Sequence, residues 1–239
     1  MATANSHGRA GSERTAISCA EIDVGLRQYM LRVYNYMAGG LAFTGVVAYV
    51  AAASGFYVAI YRTPIFWLVL LAPLALVFIL AFRIERMSLT AAQICFWVYA
   101  ALIGLSLSGI FLVYTGASMA QTFLIAAAMF LATSLYGYVS GRDLTRYGSF
   151  LFMGLVGVII AIVVNFFVGS PALEFAISVI GVVLFVGLTA WDTQRIKSLY
   201  AAGGEAGARK NAIMGALALY LDFLNLFLML LRLAGRRRD

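Results

Sequence analysis

Long apolar runs separated by short polar or basic segments set the pattern of this chain. Seven runs stand out, at residues 33–53, 65–82, 89–114, 119–139, 150–168, 173–191 and 212–233. Each is near the roughly 20 residues that a helix, rising about 1.5 Å per residue, needs to cross about 30 Å of hydrocarbon. Backbone groups in lipid must be bonded internally, and the runs lack the period-two alternation of a membrane barrel, so the pattern predicts helices. The fold class expected is all-α: an integral membrane bundle of seven transmembrane helices. Residues 1–28 read as a disordered cytoplasmic arm rich in Ser, Gly and Arg, 29–235 as the membrane domain and 236–239 as a basic tail.

Composition agrees with this reading. Of the 239 residues 63% are hydrophobic and 11% charged, whereas a soluble domain carries about a quarter charged residues. The net charge of +7 does not point to nucleic acid, because most of it lies between the apolar runs, where membrane topology signals lie. Arg9, Arg14, Arg27 and Arg32 in the arm, Arg83 and Arg86, Arg142 and Arg146, and Arg195, Lys197, Arg209 and Lys210 fall on one side; the opposite loops hold only Arg62. Positive-inside counting places the arm in the cytoplasm. No apolar stretch precedes Arg27, so no cleavable signal peptide is expected. The tail, with Arg232, Arg236, Arg237 and Arg238, runs against the rule. Either the last run crosses fully, or it is a re-entrant hairpin; its length favours seven crossings.

Candidate chemistry is sparse. His7 is the single histidine and Cys19 and Cys95 are the two cysteines, too few for a zinc or haem site. GxSxG, HExxH and P-loop motifs are absent, so no enzyme is expected. Lys197 and Lys210 lie in a loop, which argues against a retinal protein, and LYLDFLN around Asp222 lacks the glycines of a di-aspartyl intramembrane protease. Ionisable residues within spans are costly and mark function by default. Two compete: Asp222, about 15 Å into the seventh run, and Asp192, which closes the sixth. Asp192 could simply pair with Arg195 one turn on. Asp222 has no basic residue within a turn, and its plainer reading is a neutral carboxyl bonded to another helix. Asn225 shares its face, and this polar stripe should turn the seventh helix toward the bundle interior. Glu174 reads as a solvated helix start.

Small residues at Gly137 and Gly141, Gly104 and Ser108, Gly154, Gly157, Gly181 and Gly187 read as close helix contacts. Tyr34, Trp67, Tyr114, Tyr138 and Trp191 read as interfacial anchors. Pro73 is placed to kink the second helix. No internal repeat is visible.

The segments LRVYNYMAGGLAFTGVVAY, FRIERMS, LSLSGIFLVYTGASMAQTF, SLYGYVSGRDLTRYGSFLFMGLVGVIIAIVVNFF, GLTAWDTQRIKSLY and ALALYLDFLNLFLMLLRL resemble the bacterial branch of the Bax inhibitor-1 (TMBIM, UPF0005) family. The family commonly has Tyr where this chain has Trp191. The resemblance implies seven helices with the last central, and a pH-sensitive calcium leak in which Asp192 and Asp222 form the sensor and hold calcium transiently. It also implies a basic latch at the inner end of the second helix: Arg83 first, Arg86 second. Some relatives instead modulate a membrane-anchored AAA protease without conducting ions, which is the alternative reading. Two carboxyls a few ångströms apart cannot both ionise cheaply, which suits a sensor near neutral pH. Asp192, Asp222 and Arg83 are therefore expected in one buried cluster, supported by Asn225, Arg86 and Arg195. They meet only if the sixth helix is tilted or continues past Asp192. The expected setting is a monomer in lipid in the bacterial inner membrane, with no resident cofactor.

Overall fold

The computed structural model describes residues 4–238, without the side chains of 4–23, 85 and 201–206. The arm expected at 1–28 lies for the most part outside the described side chains. The helices are α1 (Ala4–Ala53), α2 (Phe56–Ile60), α3 (Pro64–Arg83), α4 (Leu89–Leu107), α5 (Ile110–Val113), α6 (Gly116–Val139), α7 (Gly148–Val168) and α8 (Pro171–Ala234). Among the described residues, seven segments are long and apolar enough to cross a membrane: Val24–Ala53, Pro64–Arg83, Leu89–Val113, Gly116–Val139, Thr145–Val168, Pro171–Tyr200 and Gly207–Ala234.

Local chemistry sets several ends. Ser88, Thr115 and Ser170 each accept a bond from the backbone N–H three residues on, which caps the starts of α4, α6 and α8. Pro171 opens α8, where its missing N–H costs nothing. Gly169 ends α7 at φ 65°, a conformation that favours glycine. Pro73 sits inside a continuous α3. The third apolar run breaks at Ser108–Gly109, where the Ser108 hydroxyl donates to its own helix at Leu105 O (2.6 Å) and the ring of Tyr57 occupies the space beside Gly109. It resumes as α5.

Helix α8 cannot be straight. At about 1.5 Å per residue its 64 residues would separate its ends by far more than a membrane's thickness. Gly181 instead lies against Met229, and Gly215 against Ile196. The partners run in opposite order along the chain, so Pro171–Tyr200 and Gly207–Ala234 are the antiparallel first and second limbs of a hairpin. The second limb is central: 61% of its most apolar window is buried, against 6% for α7. Around it pack α1, α4, α6 and the first limb, and α7 lies against the first limb, with Phe82, Phe150, Phe166 and Phe167 on the outward faces. Such an apolar exterior belongs in lipid.

Close approach needs small residues at two places. A Cβ on Gly137 would lie 2.3 Å from Ala190 O, so α6 and the first limb meet backbone to backbone. Gly104 is the less extreme case, where a Cβ would lie 2.8 Å from both Thr44 O and Val47 Cβ of α1. Gly141 and Gly157, read from sequence as contact residues, face open space. Two of the expected aromatic anchors are interior instead: Tyr114 is buried, and Tyr34 is half-buried and bonded to another helix.

The chain end settles the form of the last crossing. Beyond α8, Arg236 O accepts from Thr115 N (3.1 Å) and Arg238 N donates to Val113 O (2.8 Å). Arg236 N reaches Ser118 Oγ, and Arg237 lies 3.9 Å from Glu174. The tail is thus strapped over the ends of α5, α6 and α8 opposite the α8 turn. The second limb runs from the α8 turn to the opposite end of the bundle without reversing, so it forms no re-entrant hairpin.

Candidate functional site

The first limb continues two turns past Asp192 to Tyr200. This removes the depth mismatch between the two aspartates: both lie within crossing segments, and their carboxyl groups meet side chain to side chain across the hairpin. Asp222 is 5% exposed, and its Oδ2 is enclosed with no atom in hydrogen-bond geometry. The Asp192 side chain is 13% exposed and looks toward the end of the bundle that carries Arg195.

Arg195 approaches Asp192 at 4.0 Å, at the limit of an ion pair, with its own side chain 59% exposed. Such a pair is worth little. Its guanidinium also lies over the ring of Trp191, 5.2 Å from the centroid. Arg83 ends α3 with an exposed side chain, and Arg86 is exposed on the following turn. Neither makes an ion pair among the described residues. The carboxyl pair therefore comes together with Arg195 beside it, and the structure does not bring Arg83 to them. Asn225 is half-buried one turn from Asp222, and its amide donates to Leu221 O of its own helix (2.9 Å).

Hydroxyl groups overlooked in the sequence connect this region to the wall. Thr193 donates to Thr189 O at 2.7 Å. Its single hydrogen is thereby used, so Ser134 of α6 donates to Thr193 Oγ1 (2.9 Å) and Tyr34 of α1 donates to Ser134 Oγ (2.6 Å). One directed chain thus joins α1, α6 and the residue after Asp192. A second joins α1, α4 and the second limb. Thr44 donates to Ala100 O (2.9 Å), so Tyr220 donates to Thr44 (2.7 Å). The available signal was the Thr189/Thr193 repeat at i, i+4 and lone hydroxyls in apolar runs, which also suit plain helix contact. Gln194 pins the α6–α7 loop, accepting from Leu144 N (2.7 Å) and donating to Arg142 O (2.8 Å).

The fold and this arrangement define a class: a multi-span helical membrane protein whose last hairpin holds a buried carboxyl pair. The family model "Inhibitor of apoptosis-promoting Bax1" matches residues 26–239, and the chain belongs to this Bax inhibitor family. It is 52% identical over 219 residues to an uncharacterized protein of Rickettsia prowazekii, covering 91% of this chain and 93% of that one. It is 48% identical over 223 residues to the inner membrane protein YbhL of Escherichia coli K12, covering 90% and 94%. An uncharacterized membrane protein of Streptococcus pyogenes serotype M3 is 37% identical over 219 residues, covering 90% and 95%.

Proposed function

We propose that this protein is a pH-sensitive calcium leak of the bacterial inner membrane, gated by the Asp192–Asp222 pair, with its N-terminus in the cytoplasm. The observation that carries the reading is Asp222 itself. It is a carboxyl buried in the central limb, facing a second carboxyl, with one oxygen unpartnered. Retaining such a group in an apolar bundle is costly. Proton loss from a touching pair creates like-charge repulsion, and the two limbs are positioned to separate under it. A passing calcium ion would neutralise the pair. Calcium takes about six to eight oxygens and two carboxylates supply fewer, so water completes the shell and the site relays the ion without storing it. Arg195, already beside Asp192, is the nearer basic latch in this scheme, with Arg83 as its competitor.

Purified protein in liposomes loaded with a calcium dye tests the reading. Calcium flux is expected to change across a range of about pH 5 to 8 if the pair is the sensor, and Asp222→Asn is expected to make it insensitive to pH. Arg195→Gln and Arg83→Gln assign the latch, since loss of the true latch shifts the profile. Wild-type pH dependence in Asp222→Asn overturns the sensor. Flux absent at every pH, with a membrane-anchored AAA protease co-purifying, replaces the leak with a non-conducting modulator.

A further inference from the structure

A cavity of about 540 Å3 opens at the α8-turn end of the bundle, between residues 25–32 of α1 and the facing ends of the two limbs at Tyr200 and Ala208. Its size is that of a small-molecule site. Gln28, Tyr29 and Arg32 come from α1, Tyr200 ends the first limb, and Arg209 begins the second. The floor is built by close packing: Tyr200 lies directly over Gly25, where any Cβ would collide with its hydroxyl, and its ring lies 5.3 Å from that of Tyr29.

Three polar groups on this wall have no partner among the described residues. Tyr29 is 2% exposed, and its hydroxyl is buried without a hydrogen-bond partner. A buried hydroxyl in that state is costly. Arg32 and Arg209 are exposed and make no ion pair among the described residues. Arg32, Arg209, Gln28 and the buried Tyr29 line one concave space, with no carboxylate among its described lining residues. Guanidinium forks match the oxygens of a phosphoryl group in geometry as well as charge.

We propose that this cavity binds a phosphoryl group, held between Arg32 and Arg209, and that the Tyr29 hydroxyl, shielded in the ligand-free structure, turns to donate to one of its oxygens. The ligand ties α1 to the second limb, the helix that carries Asp222. The site stands whether or not ions permeate. The same chemistry is offered by a lipid headgroup and by a soluble phosphorylated solute, and the two sources separate experimentally.

The full chain is purified, and its thermal unfolding is followed in detergent with inorganic phosphate, against chloride at equal ionic strength. It is followed again in nanodiscs of phosphatidylcholine with and without phosphatidic acid. The expected result is a saturable stabilisation in at least one arm. The phosphate arm alone identifies a soluble ligand, and the phosphatidic acid arm alone a headgroup. Arg209→Gln weakens the response at least about tenfold, the order expected when a charge-assisted bond is lost. Tyr29→Phe weakens it while leaving the ligand-free protein at least as stable. Arg27→Gln, on a different groove, leaves it unchanged. No stabilisation in either arm, or equal responses in wild type and Arg209→Gln, overturns the site. Because Arg209 is exposed, the ligand-free melt of Arg209→Gln should match wild type, which separates loss of binding from loss of folding.

Discussion

Single side chains here are decided by where their one hydrogen goes. Thr44 spends its own on Ala100 O and accepts from Tyr220. Thr44→Val removes both bonds and strands a fully buried tyrosine hydroxyl. A loss of about 0.5–2 kcal/mol is expected, the range of membrane helix bonds and buried unmet donors, measured by thermal or SDS unfolding in detergent. Asp143, in the α6–α7 loop, gives a pH prediction outside the membrane. Its carboxylate is held below the usual range by the Thr145 side chain first, then by the Thr145 backbone N–H at 2.9 Å. A depressed carboxylate stabilises its turn above the unfolded value of about 3.9, and the stabilisation is lost as pH falls through the lower folded value. Amide exchange at Thr145 should therefore accelerate in acid beyond its intrinsic trend. Asp143→Asn should abolish that pH dependence.

At the scale of elements, the α8 hairpin depends on how closely its limbs and α6 approach. Two glycines separate rigid from yielding contacts. At Gly137 the added methyl meets the Ala190 backbone, at 2.3 Å from O and 2.9 Å from Cα. The neighbour cannot move without shifting a helix, and Gly137→Ala should cost about 1–3 kcal/mol. At Gly181 it meets Cγ and Sδ of the buried Met229 at 2.9 Å, an unbranched side chain that gives way more cheaply than a backbone. With the gain of alanine over glycine in a helix, about 1 kcal/mol, Gly181→Ala should be the less costly of the two. Equal losses in both variants, by the same unfolding assay, would show that close approach at Gly137 does not set the packing.

For the whole molecule, the strap formed by residues 236–238 lies at one end and the α8 turn at the other. Single cysteines at Ala206 and Arg238, in a Cys19→Ser/Cys95→Ser background, should therefore label from opposite faces of intact spheroplasts. With the proposed orientation, Ala206 is reached only from the cytoplasm and Arg238 only from outside. Labelling of both from one face would contradict the single complete crossing of the second limb.

The seven spans were legible in sequence because hydropathy is local, and each run had to satisfy its own backbone in lipid. The Asp192–Asp222 pairing rested on the family resemblance, and burial of Asp222 on the cost of a carboxyl in an apolar run. Small residues were visible too, but sequence did not separate Gly137, pressed on a backbone, from Gly141, open to space. The tertiary structure decided what depends on distant partners. It extended the first limb past Asp192, set Arg195 and not Arg83 beside the pair, and threaded Tyr34 through Ser134 to Thr193. It also tied the basic tail over Thr115 against the charge rule. Each of these turns on which helix faces are pressed together, a non-local packing outcome that a pattern of apolar residues read along one chain does not contain.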